Sequence, residues 1–265
     1  MSEYQILNVK TDSFETDYIK FGRGKKPFVI IPGLSLKSVI GSAAAVADAY
    51  KDFANDYTVY VIDRRSNIPK GFRIIDFADD TANVMKALGI EEAYIFATSQ
   101  GGMIAQYVAI NYPKLVKKLV LGSSASKIYD EAKKVLTDWS AFAKAGEIDA
   151  LCRDFVKRLY SKPFAEKYGE LIVRMNADAS NEEIDRFLTS CDSFEGFDVT
   201  GELNKIMCPT LVIGSEEDCV LTPAASYETA RILGCDIYMY GDGYQHAVYD
   251  EAPDYKERLL NFFSE

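Results

Sequence analysis

Five short stretches of this chain are apolar at nearly every position: PFVII at 27–31, YTVYVI at 57–62, AYIFA at 93–97, LVLG at 119–122 and TLVIG at 210–214. A strand with one wet face alternates apolar and polar residues, whereas a strand covered on both faces does not. The runs therefore predict buried strands, and the segments between them supply the covering helices. Ile74, Phe77, Ala78, Val84, Met85 and Leu88 recur at helical spacing, with Gly89 where a C-terminal cap belongs. Ala252, Tyr255, Leu259, Phe262 and Phe263 share one face of an expected last helix, with Pro253 in its opening turn. A further strand is expected at 235–240, and the weak alternation of Phe14, Thr16 and Tyr18 predicts a hairpin ahead of Gly22 and Gly24. The whole reads as an α/β chain: a mostly parallel central sheet with helices on both faces.

The alternation breaks once. From Ser124 to Lys205 the sequence is helical and charged throughout, with no convincing strand. Four helical patches are expected there, at 129–143, 148–160, 164–175 and 182–191, separated by Gly146, Pro163 and the polar stretch 178–181. The predicted organisation is a core of residues 1–123 and 206–265 interrupted by an all-helical cap, or lid, over 124–205.

Composition removes several classes of function. Forty acidic against 30 basic side chains give a formal charge of −10, which repels a phosphate backbone and excludes nucleic acid as a partner. The five cysteines are odd in number, scattered and never spaced as CxxC, so neither a disulfide framework nor a thiolate metal site is expected. The single histidine argues against a zinc site, and no metal or cofactor is called for. The start MSEYQILNVKTDSFE lacks the basic and apolar regions of a signal peptide, and no run reaches the roughly 18 apolar residues of a membrane span. The expectation is a cytoplasmic protein with a small-molecule substrate and no membrane partner; oligomeric state is left open.

The chemistry centres on one serine. In AYIFATSQGGMIAQYVAINYP, Ser99 stands between a predicted buried strand and a predicted helix, with Ala97 and Gly101 two residues to either side. Such a tight strand-to-helix turn needs small neighbours because the backbone approaches closely and strains the central residue. A serine hydroxyl is a poor nucleophile at neutral pH unless a base takes its proton and a carboxylate orients that base. His246, in GDGYQHAVYDEAP, is the only histidine available; Asp218, in IGSEEDCVLTP, is the acid candidate, with Glu216 and Glu217 as rivals. Each follows a different predicted strand at one edge of a parallel sheet, in the chain order Ser99, Asp218, His246. Two backbone N–H groups must also face the developing oxyanion. Gln100 offers one at the helix start, and Leu34, after Gly33 in IPGLSLKS, offers the other. Trp139 is the expected contribution of the helical segment to a substrate pocket, although aromatic residues at helical spacing more often pack a core.

Taken in order, these segments resemble the α/β-hydrolase superfamily, in the subgroup with a helical cap. The resemblance runs through PGLS at 32–35, DRR at 63–65, FADDTANVMKALGI, the turn with GGMIAQYVAINYPKLVKKLVLGSS, CPTLVIGSEEDCVLTP and the terminal QHAVYDEAP, which is nearly the whole chain. Two departures stand out: Pro32 replaces the common histidine ahead of the oxyanion glycine, and no glycine-rich turn follows Asp63. The resemblance selects Asp218 from its rivals. It implies a serine hydrolase cleaving a carboxylic ester, thioester, lactone or amide through an acyl-enzyme on Ser99, carboxylesterase being the leading reading. Acyltransferase, cofactor-free perhydrolase and carbon–carbon bond hydrolase on the same fold are alternatives, as is a ligand-binding receptor with little turnover.

Overall fold

The computed structural model describes residues 3–265. The chain opens with an antiparallel hairpin of β1 (Tyr4–Lys10) and β2 (Glu15–Phe21), then alternates strand and helix: β3 (Lys26–Ile31), α1 (Ala43–Ala49), β4 (Tyr57–Ile62), α2 (Ile74–Ala87), β5 (Ala93–Thr98), α3 (Gln100–Asn111) and β6 (Val116–Gly122). Four helices follow: α4 (Asp130–Lys144), α5 (Ile148–Leu159), α6 (Lys162–Asn176) and α7 (Asn181–Asp192). The strand–helix pattern then resumes with β7 (Thr210–Ser215), α8 (Pro223–Leu233), β8 (Asp236–Tyr240), α9 (Val248–Glu251) and α10 (Tyr255–Ser264). The eight strands form one sheet in the order β1-β2-β4-β3-β5-β6-β7-β8. β1 and β2 pair antiparallel, β2 also pairs antiparallel with β4, and every pairing from β4 to β8 is parallel.

The apolar runs are explained by where their side chains go. Along β3, Val29 and Ile31 join the cluster under α2, α3 and α8, while Phe28 and Ile30 join the opposite cluster under α1 and α10. Phe28 is fully buried, with its ring centroid 4.8 Å from Phe53 and 5.4 Å from Phe263. Burying a side chain of this size contributes roughly 1.5–3 kcal/mol. A polar side chain on such a strand must find a hydrogen-bond partner inside a layer, as Thr210 of β7 does with Cys208 O at 3.1 Å.

One expectation needs correcting. Pro253 does not open the last helix: α9 ends at Glu251, α10 begins at Tyr255 with Asp254 as its N-cap, and Pro253 lies between them. Proline restricts the residue before it to extended backbone, and Ala252, at ψ 123°, has left the helical region.

The inserted helices are pinned where they leave and rejoin the sheet. Lys127 bridges Asp198, Val199 N–H donates to Ser126 O at 2.8 Å, and Ile128 N–H donates to Phe197 O at 3.2 Å. Their boundaries carry local signals. Ser161 caps α6, which has Pro163 in its first turn, and Ser180 with Glu183 forms a reciprocal capping box on α7. No helix among the described residues is long and apolar enough to cross a membrane.

Candidate active site

The loops after β3, β5, β7 and β8 leave the sheet at its carboxyl edge, and four of the residues singled out above lie on them. Ser99 joins β5 to α3 with φ 53° and ψ −123°, a conformation that a residue with a Cβ rarely adopts. Strain of this kind costs about 1–3 kcal/mol and persists only where the surroundings fix it. Here they do. Ser99 N–H donates to Gly122 O at 2.9 Å, and its carbonyl accepts from Gly102 N–H at 2.9 Å and from Ser124 Oγ at 2.8 Å. A Cβ on Gly101 would lie 2.1 Å from Ile31 O, and one on Gly102 would lie 2.4 Å from Ser124 Oγ. Both glycines are therefore required by close approach, and the spacing around Ser99 suggests the first of them.

His246 and Asp218 are nearly sealed from solvent, at 2% and 4% exposure. Asp218 Oδ2 lies 2.8 Å from His246 Nδ1, while Oδ1 accepts from the backbone N–H groups of Val220 at 2.8 Å and Leu221 at 3.0 Å. Burial alone raises a carboxyl pKa; here the imidazole beside it, by charge and hydrogen bond, and the two backbone donors outweigh burial and hold Asp218 below its ordinary value. The two rivals are exposed and engaged elsewhere: Glu216 accepts from Tyr227 Oη, and Glu217 from Gly243 N–H at 2.9 Å. Among the described residues, Ser99 Oγ and His246 Nε2 carry no hydrogen bond to each other or to any other group.

The loop after β3 presses on the serine. A Cβ on Gly33 would lie 3.0 Å from Ser99 Cβ, a tight contact that would press on the serine. Neither Leu34 N–H nor Gln100 N–H has a protein acceptor among the described residues. Arg64, which nothing in the sequence distinguished from its neighbour Arg65, holds this loop in place: Nη1 donates to Gly33 O at 3.0 Å and Nη2 to Pro32 O at 2.9 Å. Burial pushes its guanidinium down to about 10, with Asp63 opposing and Arg186 adding to the effect, so it stays charged at neutral pH. Arg65 serves a different purpose, in a bidentate pair with Asp80 at 2.7 and 2.6 Å.

The inserted helices touch this edge through α7 and through the end of α5, where Ala247 N–H donates to Leu159 O at 2.7 Å. Gln100 is fully buried, and its Nε2 donates to Ser190 O at 2.9 Å and Ser193 Oγ at 3.1 Å. One turn earlier on α7, Arg186 reaches Asp63 at 3.4 Å, and Asp63 also accepts from Ser38 Oγ at 2.5 Å. Trp139 is 4% exposed inside the insertion, packed edge-on against Phe155 at 4.6 Å, with its Nε1–H donated to Asp154 at 2.8 Å. Both of these partners belong to α5. No cluster of three or more metal-ligating side chains occurs among the described residues.

Comparison with known proteins bears on the same segments. A family model described as alpha/beta hydrolase fold matches residues 26–253. Among curated proteins, 3-oxoadipate enol-lactonase 2 of Acinetobacter baylyi is 24% identical over 216 residues, 78% of each chain. A putative carbamate hydrolase RutD of Agrobacterium fabrum is 23% identical over 241 residues, covering 87% of this chain and 92% of that one. Among solved structures, the alpha/beta hydrolase enzyme MGS-M2 from a Medee basin deep-sea metagenome superposes with a TM-score of 0.86 at 24% identity, over 98% of both chains. The enol-lactonase of Burkholderia xenovorans does so with a TM-score of 0.82 at 19% identity, over 98% of this chain and all of that one.

Proposed function

This chain belongs to the α/β hydrolase fold family, and on that premise we propose that it is a serine hydrolase that opens an activated carboxylic ester or lactone through an acyl-enzyme on Ser99. The observation that carries the reading is the buried pair of His246 and Asp218, 2.8 Å apart, on the same sheet edge as a serine in strained backbone. Asp218 accepts a hydrogen bond from Nδ1–H, which keeps the proton on Nδ1 and leaves Nε2 as the unprotonated nitrogen able to take the Ser99 proton. Ser99 Oγ then attacks the carbonyl carbon, and the carbonyl oxygen becomes an oxyanion. Leu34 and Gln100 N–H are its donors: both lack other acceptors, and Arg64 fixes the loop that carries the first. Donors of this kind are worth about 3–4 kcal/mol each. The imidazolium returns its proton to the leaving group, water deacylates Ser99 by the same route, and the charge on His246 is stabilised throughout by Asp218.

Residues 124–205 act in this reading as a cap that closes over the edge through Gln100 and Arg186. The relatives named for enol-lactone and carbamate substrates suggest the leaving groups to try, a stabilised enolate from a lactone or ester and an alcohol or amine from a carbamate whose carbonyl stays on Ser99. The test is to incubate the wild type with a fluorophosphonate probe and with a panel of enol-lactones, aryl esters and aryl carbamates. Stoichiometric labelling and turnover that both vanish in Ser99→Ala are expected; turnover that survives the substitution overturns the reading.

A further inference from the structure

The two proposed oxyanion donors sit on separate segments, Leu34 on the loop after β3 and Gln100 at the start of α3. They act together only if both stand about 2.7–3.1 Å from the same oxyanion, so their spacing needs a fixed reference. The core supplies part of it. Arg64 holds the carbonyls of Pro32 and Gly33, and Leu36 buries its side chain. The far end of the loop meets the insertion instead. Ser38 Oγ donates to Asp63 Oδ2 at 2.5 Å, and the same oxygen accepts from Arg186 Nη1 of α7 at 3.4 Å. Beside it, Lys37 Nζ donates to Asp178, in the turn between α6 and α7, at 2.7 Å. The two links differ in their surroundings: Arg186 and Asp63 expose 11% and 10% of their side chains, whereas Asp178 exposes 82%. An ion pair open to water contributes little and is screened by salt, so the buried one carries the connection.

The same helix holds the second donor. Four residues beyond Arg186, about 6 Å along the helix axis, Ser190 O accepts from Gln100 Nε2 at 2.9 Å, and Ser193 Oγ lies 3.1 Å from that nitrogen. The two turns are joined to each other, since Ser190 Oγ donates to Arg186 O at 2.8 Å. One stiff element therefore grips both donor segments, Gln100 directly and residues 33–38 through Asp63.

We infer, on the acyl-enzyme reading of Ser99, that α7 sets the spacing of the oxyanion donors, and that Arg186 is a positioning residue for the reaction, acting through Asp63 and Ser38 on the loop that carries Leu34. The oxyanion hole is then complete only while α7 is docked. Misplacing a group by about 1 Å at a reacting centre can cost ~100-fold in rate, so a partial loss of this grip is measurable.

The test compares an aryl ester with its thionoester, in which C=S replaces C=O. Sulfur is larger and a weaker hydrogen-bond acceptor, so the ratio of the two kcat/KM values reads donor alignment, and it cancels any loss of folded enzyme. Arg186→Met is expected to lower kcat for the ester about tenfold with KM within about twofold, and to shrink the ester-to-thionoester ratio about tenfold. It strands no carboxylate, because Asp63 keeps Ser38 and the charge of Arg64 beside it. Arg186→Lys keeps the cation at a single contact and recovers most of the ratio. Asp63→Asn shrinks the ratio too, and the double variant falls no further than the lower single one, since both changes act on one link. A ratio unchanged in Arg186→Met, or losses that add in the double variant, overturn the inference. Turnover that survives in Ser99→Ala strikes the acyl-enzyme reading instead.

Discussion

Ser99 and Trp139 are both set by packing, but in different ways, and the contrast separates the sheet edge from the inserted helices. Around Ser99 the backbone is held by atoms from β3, β5 and β6, and a single added methyl at Gly101 would overlap a carbonyl of another strand. Around Trp139 the requirement is only that an apolar face be covered: α4 and α5 present rings to each other, and Asp154 takes the one polar atom. The edge demands particular residues, whereas the insertion demands a pattern. Substitution should therefore abolish function without unfolding at the edge, and erode stability without abolishing function in the insertion.

The largest effect expected is at Ser99. Ser99→Ala should lower kcat/KM by ~1000-fold or more, since the proposed nucleophile goes while the donors stay. Ser99→Gly sharpens the comparison, because glycine accepts φ 53° without strain. It should be equally inactive yet unfold later, gaining about 1 kcal/mol and a Tm rise of about 2 °C, as calorimetry can measure. A lower Tm would mean that the turn is not strained at the serine.

Asp218→Asn comes next, with an expected loss of ~1000-fold or more in kcat/KM as the imidazole loses the partner that sets its tautomer. The same residue makes a pH prediction. Its carboxyl is held below the ordinary carboxylate value of about 3.9 in the folded state, so the unfolded chain binds the proton more readily. The stabilisation is fully present above that ordinary value and is lost as pH falls through the lower, folded one. Denaturant titrations of wild type and Asp218→Asn should accordingly differ by a constant amount from pH 7 to about 5, then converge in acid. A gap that widens on acidification would show that burial, not the imidazole and the backbone donors, governs this carboxyl.

How far these regions could be read in advance follows the same division. The strands and the four inserted helices are legible because each is a local periodicity with local punctuation, as at Gly89 and Ser180. Ser99 is legible because close backbone approach writes small residues on both sides of it. Arg64 is not. Its role is to hold the carbonyls of Pro32 and Gly33 from thirty residues away, and backbone acceptors leave no trace in side-chain spacing. Nor does the DRR segment say which arginine faces the loop and which pairs with Asp80. Pro253 misleads for a related reason: proline suits both the opening of a helix and the gap between two, and only the turn made by Ala252 decides.

Gln100 lies between the two regions, and its substitution tests whether they are coupled. Gln100→Leu keeps the backbone N–H proposed to meet the oxyanion but removes both hydrogen bonds to α7. The buried Oε1, unpaired in the wild type, is removed as well, which offsets part of the cost. The expected outcome is a roughly tenfold fall in kcat/KM with faster proteolytic cleavage within 124–205, at nearly unchanged Tm. Wild-type turnover would mean that α7 can leave the edge without consequence.

The smallest effect is expected from Trp139→Phe. The change removes the bond to Asp154 and some buried area, while Asp154 keeps its pair with Arg158 at 2.6 Å, so no buried charge is stranded. The cost should be about 1 kcal/mol, a fall in Tm of about 2–4 °C. Turnover should stay within about twofold of wild type, because the ring partner and the hydrogen-bond partner of Trp139 both lie on α5. If turnover instead falls tenfold at unchanged Tm, the interior of the insertion shapes the site rather than merely covering it, and edge and insertion form one functional unit.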